Sequence, residues 1–186
     1  MKKVLSILIL SLVFFSNVNA DERGGKLDKL FSQLKDTKDL PTAQVIEKEI
    51  WDIWSIHPTD DRRGFRLTEL LIQGTRLMNM RELNKAHEVF TKIIAVENDW
   101  AEAWNKRATV LYLMKQYESS LADIKITLVL EPRHFGALSG QARIFIKLQE
   151  YEKAISSLQT ALNFYPLFKS GELISEIEKL IKEKSV

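Results

Sequence analysis

Catalysis or metal binding would have to be carried by a few side-chain types at short spacings. The three histidines, His57, His87 and His134, are widely separated, and no two stand three or four residues apart. No helix therefore offers a paired imidazole face to a metal ion. With no cysteine in the chain, a thiol nucleophile, a thiolate zinc site and a disulfide framework are all excluded. Gly136-Ala-Leu-Ser139-Gly140 sets a serine among glycines. That serine is one position out of place for the nucleophile turn of hydrolases, and its neighbours follow a helical pattern where a strand-to-helix turn would be needed. Gly24-Gly25-Lys26 lacks both the earlier glycine of a phosphate loop and the serine or threonine that follows its lysine. Carboxylates are plentiful but spread along polar helix faces, whereas acid–base work needs two of them held in one closed pocket. The four tryptophans, Trp51, Trp54, Trp100 and Trp104, fall on or beside apolar stripes and read as packing residues. The expectation is a chain that is not an enzyme and holds no metal and no cofactor.

The elements that position these residues are helical. Of 186 residues, 45% are apolar and 28% charged, with 7 glycines and 4 prolines. This composition suits a folded helical domain or a short repeat array better than a turn-rich β-sandwich. Met1-Lys2-Lys3 precedes an apolar run from Val4 to Phe15, and small or short residues follow up to Ala20. This pattern is that of a signal peptide, residues 1–20, cleaved after Ala20. As a helix the apolar run rises only about 18 Å, short of a hydrocarbon core of about 30 Å, so no stable membrane insertion is expected once the signal is removed. Removing residues 1–20 takes Lys2 and Lys3 from the 27 basic residues and nothing from the 25 acidic ones, which leaves no net charge. A balanced chain lacks the basic surface of a nucleic-acid binder. A lysine-rich start with a short apolar run points to bacterial export, so the expected location is the periplasm.

The strongest pattern is a period of 34. Residues 67–100, 101–134 and 135–168 align without a gap. In the first half of each, a bulky residue (Leu70, Trp104, Leu138) precedes a small one (Gly74, Ala108, Ala142) by four positions and a bulky one (Leu77, Leu111, Phe145) by seven. In the second half, Ala86, Ser120 and Ala154 are followed four positions later by Phe90, Ile124 and Leu158. Each half is one face of a helix. The small positions let two helices cross closely, and the bulky ones fill the space beside the crossing. Pro132 and Pro166 end the second helix, with Asn98 in the same place in the first repeat. A single hairpin cannot bury its own apolar face, so the hairpins must stack.

This order of bulky and small positions resembles the tetratricopeptide repeat (TPR) family, most closely in Ala101-Glu-Ala-Trp104 through Ala108, Tyr117 and Glu131-Pro132. Arg107 and Gln141 stand where the family has an apolar residue, Ser120 and Thr127 where it has alanine, and Asn98 where it has proline. A buried arginine needs a partner, so one is expected for Arg107. The segments Trp104 to Thr109 and Glu131 to Gly140 also resemble small exported TPR proteins of alphaproteobacteria, which carry no assigned activity.

The resemblance implies an all-α, right-handed superhelical stack of about three hairpins whose first helices line a concave groove. Carried over by position, the groove residues are Asn105, Lys106, Thr109, Tyr112, Ser139, Arg143 and Lys147. Glu102, Gly140 and Ile146 join them, as do Thr68, Leu71, Ile72, Thr75 and Met78 of the first repeat, with Gly136 and Gly140 leaving the floor open. The implied guest is a protein or extended peptide with an acidic group, with Lys106 and Arg143 meeting its carboxylate. The basic clamp of some cytosolic members is not reproduced, because its positions fall on Leu71, Thr75 and Gly140. The implied function is a non-catalytic adaptor or scaffold. The alternative is an envelope-assembly or maturation component acting through its convex face or terminal helices.

Outside the repeats, Leu27, Leu30, Phe31 and Leu34 form one apolar stripe, and Ile46, Ile50, Ile53 and Trp54 another. They predict a helix pair over residues 21–66 that covers the first repeat, with Asp21 to Lys26 frayed and a polar connector from His57 to Gly64. Leu173, Ile174, Ile177, Leu180 and Ile181 predict a closing helix over residues 169–186.

Overall fold

The structure, a computed structural model, describes residues 13–184. Residues 1–12, most of the expected signal, lie outside them. Every regular element among the described residues is helical: α1 Val13–Asp36, α2 Leu40–Ser55, α3 Arg62–Asn79, α4 Leu83–Val96, α5 Ala101–Leu113, α6 Tyr117–Leu130, α7 Phe135–Lys147, α8 Tyr151–Phe164, a 3₁₀ turn Lys169–Glu172, and α9 Leu173–Lys184. Residues 21–26, expected to fray, continue α1 without a break. Helix α3 starts at Arg62, inside the expected connector, because Asp61 caps it by accepting the Gly64 N–H at 2.7 Å.

The hairpins α3/α4, α5/α6 and α7/α8 are built alike. Two positions past the end of each first helix stands a non-glycine residue in the left-handed region, Arg81, Lys115 and Gln149, with φ of 63°, 62° and 61°. The N–H of the next residue reaches back to the carbonyl five residues earlier: Glu82 to Leu77 at 2.9 Å, Gln116 to Leu111 at 2.9 Å, Glu150 to Phe145 at 2.8 Å. This closure satisfies carbonyls that the helix end would orphan.

The small positions sit at the crossings. A Cβ on Gly74 would stand 2.6 Å from the Phe90 ring. The Ser120 hydroxyl, which replaces a methyl, donates to the Ala108 carbonyl at 2.7 Å and so is buried with a partner. Arg107 has the expected partner. Its guanidinium grips Asp123 at two points, 2.7 and 2.8 Å, stacks on Trp104 and reaches Thr91 of the preceding hairpin. One repeat later, Gln141 accepts from Ser157 at 2.9 Å in the same two places.

The N-terminal pair does not cover the first repeat. Leu27, Leu30, Phe31 and Leu34 of α1 join Ala43, Ile46, Ile50 and Trp54 of α2 in one core with Phe135, Leu138, Ala161 and Tyr165, which belong to the third repeat and its end. Polar contacts agree: Arg133 pairs with Asp28 at 2.6 Å and lies over Phe31, and the Tyr165 hydroxyl donates to Glu47 at 3.1 Å. Only the exit of α2 and the connector touch the α4/α5 corner. There Trp100 Nε1 donates to the Trp54 carbonyl at 2.9 Å, and His57 Nε2 lies 3.3 Å from Glu97.

The physical reason lies in α3. Where α5 offers Ala103 and Val110, and α7 offers Ala137 and Ile144, to the preceding hairpin, α3 carries Glu69 and Arg76. The former four are buried and the latter two exposed. That face is a solvated end of the stack. At the other end α9 packs Ile177 against Ala142, Ala154 and Leu158 as the closing helix.

Candidate functional site

Between α5 and α7, with Ser120 and Ile124 of α6 below, lies a cavity of about 430 Å³. Its lining also includes Trp51 of α2, from outside the repeats, and Phe168, the last residue of the third repeat, beyond α8. Asn105, Lys106, Thr109, Tyr112, Ser139 and Arg143 all line it, as does Met78 at one rim. Lys147 does not; it is exposed one turn further along α7. Of the other groove residues expected from the first repeat, Leu71 is in the core, and the Thr68 and Thr75 hydroxyls are bonded to the Gly64 and Leu71 carbonyls. Ile72 is exposed, and of these first-repeat positions only Met78 lines the cavity.

A charged cluster supports one wall. Glu102 is only 1% exposed. It is held by Lys106 at 3.0 Å, by the Asn105 amide at 2.9 Å and by His134 Nε2 at 3.0 Å. His134 caps α7: its Nδ1 accepts the Ala137 N–H at 3.1 Å, so the ring proton sits on Nε2 and is donated to Glu102. Trp54 stacks on the same imidazole, centroids 4.1 Å apart. Burial alone would push the Glu102 carboxyl up; the Lys106 ammonium and the His134 donor overcome this and hold it below its ordinary value of 4.5. Lys106 was expected to meet a guest carboxylate, but its charge is answered by Glu102 from beneath. It also lies over Trp51, 5.6 Å from the ring centroid. Asn105 commits its amide nitrogen to Glu102 and leaves Oδ1 unbonded.

That leaves Arg143 as the cation of the cavity with no ion-pair partner among the described residues, and it is exposed. Ser139 lies within α7, and its hydroxyl shares a hydrogen bond with that of Ser170 at 2.9 Å.

The two floor glycines differ. Gly136, expected to be open, is covered: a Cβ there would meet Trp51 at 2.5 Å. At Gly140 a Cβ would meet nothing nearer than Ile124 at 3.7 Å. A helix-interior glycine costs about 1 kcal/mol relative to alanine, so Gly140 carries that cost with no packing reason for it. The sequence reading took Trp51 as a packing residue and placed Phe168 at the end of the third repeat but assigned neither to the groove, because Trp51 lies outside the repeat and Phe168 outside its first helix.

No protein-family model matches the chain. A TPR repeat-containing protein of Rhizobium etli is 33% identical over 147 residues, which span 79% of this chain and 70% of that protein. The chain belongs to the TPR repeat-containing proteins. TPR structures show the same right-handed superhelical stack. The Hsp90 co-chaperone Cns1 of Saccharomyces cerevisiae is 22% identical with a TM-score of 0.62, covering 68% of this chain and 42% of that one. The first TPR domain of human RPAP3 is 18% identical with a TM-score of 0.61, covering 64% and 94%. The type III secretion chaperone SycD of Yersinia enterocolitica, solved with a peptide of the translocator YopD, is 16% identical with a TM-score of 0.56, covering 65% and 95%. Among the TPR hairpins here, the cavity lies between the first helices α5 and α7, with Trp51 of α2 and Phe168 among its lining residues. The described residues include no cluster of three or more His, Asp or Glu side chains placed to hold a metal, and no helix long and apolar enough to cross a membrane.

Proposed function

We propose that this TPR protein is a non-catalytic adaptor of the bacterial periplasm that binds a protein or peptide partner at the cavity between α5 and α7. The observation that carries the reading is Arg143, an exposed, unpaired cation on the rim of a cavity walled by Trp51, Tyr112 and Phe168. A cation beside aromatic surface suits an acidic, partly apolar peptide. SycD, solved with a peptide of YopD, and the first TPR of Spaghetti (RPAP3), bound to an HSP90 peptide, support the same mode. Export rests on residues 1–20, with cleavage after Ala20.

Capture of partners from a periplasmic extract by the mature chain, compared with an Arg143→Glu, Tyr112→Ala variant, tests the site. Partners retained equally by both would remove it. Fractionation of the producing cells with N-terminal sequencing of the chain tests the location, with Asp21 expected first.

A second reading, a component of envelope assembly acting through its outer surface or terminal helices, is favoured by Phe65. This residue is 64% exposed between Arg62 and Arg66 on the free end of the stack. Crosslinks from that end, with none from Arg143, would favour it.

A further inference from the structure

In the interior of α7 a Cβ on Gly140 would make only an ordinary contact, 3.7 Å from Ile124, whereas Gly74 and Gly136 lie tight against Phe90 and Trp51. Packing within the chain therefore accounts for the other two and not for Gly140. The space above it belongs to the cavity of about 430 Å³, at the small end of pockets that take organic groups. There is room for a side chain or two, with Trp51 and Phe168 among the lining. Ile124, Ile144, Tyr112 and Leu113 supply much of its apolar lining. The lining holds two cations, Lys106 and Arg143, and no carboxylate. Lys106 is already matched by Glu102, so the net unanswered charge is that of Arg143, with Lys147 one turn beyond.

We propose that the space over Gly140 is the anchor subsite of the groove: it takes one bulky apolar side chain of an acidic peptide whose neighbouring carboxylate pairs with Arg143. This rests on the reading of the cavity as the binding site. The absent side chain at Gly140 lets the guest side chain reach Ile124. The free Oδ1 of Asn105 accepts a peptide N–H, and the Arg143 fork meets the flanking carboxylate at two points. Gly140 is thus a specificity determinant, and filling it trades binding for helix stability.

The probe is a blocked seven-residue peptide, a central phenylalanine flanked by glutamates in a glycine–serine background, titrated into ¹⁵N-labelled mature protein while amide shifts are followed. Shifts are expected at residues 105–112 and 136–144. Replacing the phenylalanine by alanine should weaken binding at least tenfold, as should Gly140→Leu; Arg143→Gln should weaken it several-fold and remove its salt dependence. Gly140→Ala, which adds one methyl in ordinary contact with Ile124 and no clash, should weaken binding while its thermal midpoint stays equal or rises, and it carries the test if the leucine variant does not fold. Equal affinity for the phenylalanine and alanine peptides, or wild-type affinity in Gly140→Ala and Gly140→Leu, would overturn the anchor and leave the cavity as binding site. No shift in α5 or α7 with any peptide would overturn both.

Discussion

The buried charges of this protein come in sets that balance, and each set sets a cost for breaking it. Glu102 answers Lys106, Asn105 and His134 at once. Replacing it by glutamine leaves the Lys106 ammonium, four-fifths buried, without a counter-charge. Glu102→Gln should cost about 2 kcal/mol at neutral pH. The folded-state pKa of Glu102 is depressed, so its contribution is present above 4.5 and is lost as pH falls through the folded value. Urea unfolding at pH 7 and pH 3 should therefore show the gap between wild type and variant closing in acid; a gap of constant size would refute this assignment. Arg107 and Asp123 form a second set. Arg107→Gln alone strands Asp123, 5% exposed, and should cost about 3 kcal/mol. Adding Asp123→Ser recreates the Gln141/Ser157 pair of the next repeat and should bring stability back to within about 1 kcal/mol of wild type. Denaturant unfolding of the two singles and the double closes the cycle, and additive losses would count against it. The need for a partner at Arg107 was legible in the sequence, because an arginine on an apolar stripe must be paired. The Glu102/Lys106 pairing was legible too, as an i,i+4 pair on α5; its burial under His134 was not, since His134 reaches Glu102 only when two hairpins stack.

At the scale of the helix and the turn, the period of 34 fixed what each segment does. It also placed a left-handed residue at the same point of every hairpin, although no glycine marks it. Lys115 holds φ of 62° with a Cβ, a conformation that costs about 1 kcal/mol for an L-residue and nothing for glycine. Lys115→Gly should leave stability unchanged or raise it by up to about 1 kcal/mol, while Lys115→Val should lower it by 1 kcal/mol or more. Thermal unfolding of the pair reads the difference, and a glycine variant that melts well below wild type would contradict the turn geometry. The helix boundaries outside the repeats were harder to see. Asp61 starts α3 early through a cap to Gly64, a signal that competes in sequence with the polar run His57 to Gly64. The expected fraying of residues 21–26 overlooked that α1 runs through Arg23, which reaches the Ile56 carbonyl at 2.8 Å.

For the whole molecule, the decisive feature is that the chain folds back so that its N-terminal helices sit on its last repeat. An ordinary stack is a one-dimensional array in which each hairpin senses only its neighbours; here α1 and α2 tie the start of the chain to α7 and α8. The stripes on α1 and α2 announced a partner but not which one, because an apolar face at helical spacing carries no address. The charged face of α3, with Glu69 and Arg76 where α5 has Ala103 and Val110, was the available sign that the first repeat was not that partner. Phe31 reports on this closure. It packs against Trp54, Phe135 and Phe164 with ring centroids 6.0 to 6.4 Å away and lies under the Arg133 guanidinium. Truncating a buried phenylalanine costs about 3–5 kcal/mol. Phe31→Ala should therefore lose amide-exchange protection in α1, α2, α7 and α8 while α3 and α4 keep theirs, since the loss enters the array at its far end. Protection lost first in α3 and α4 would mean that the N-terminal pair rests on the first repeat in solution, and the cavity walled by Trp51 would then be an open groove.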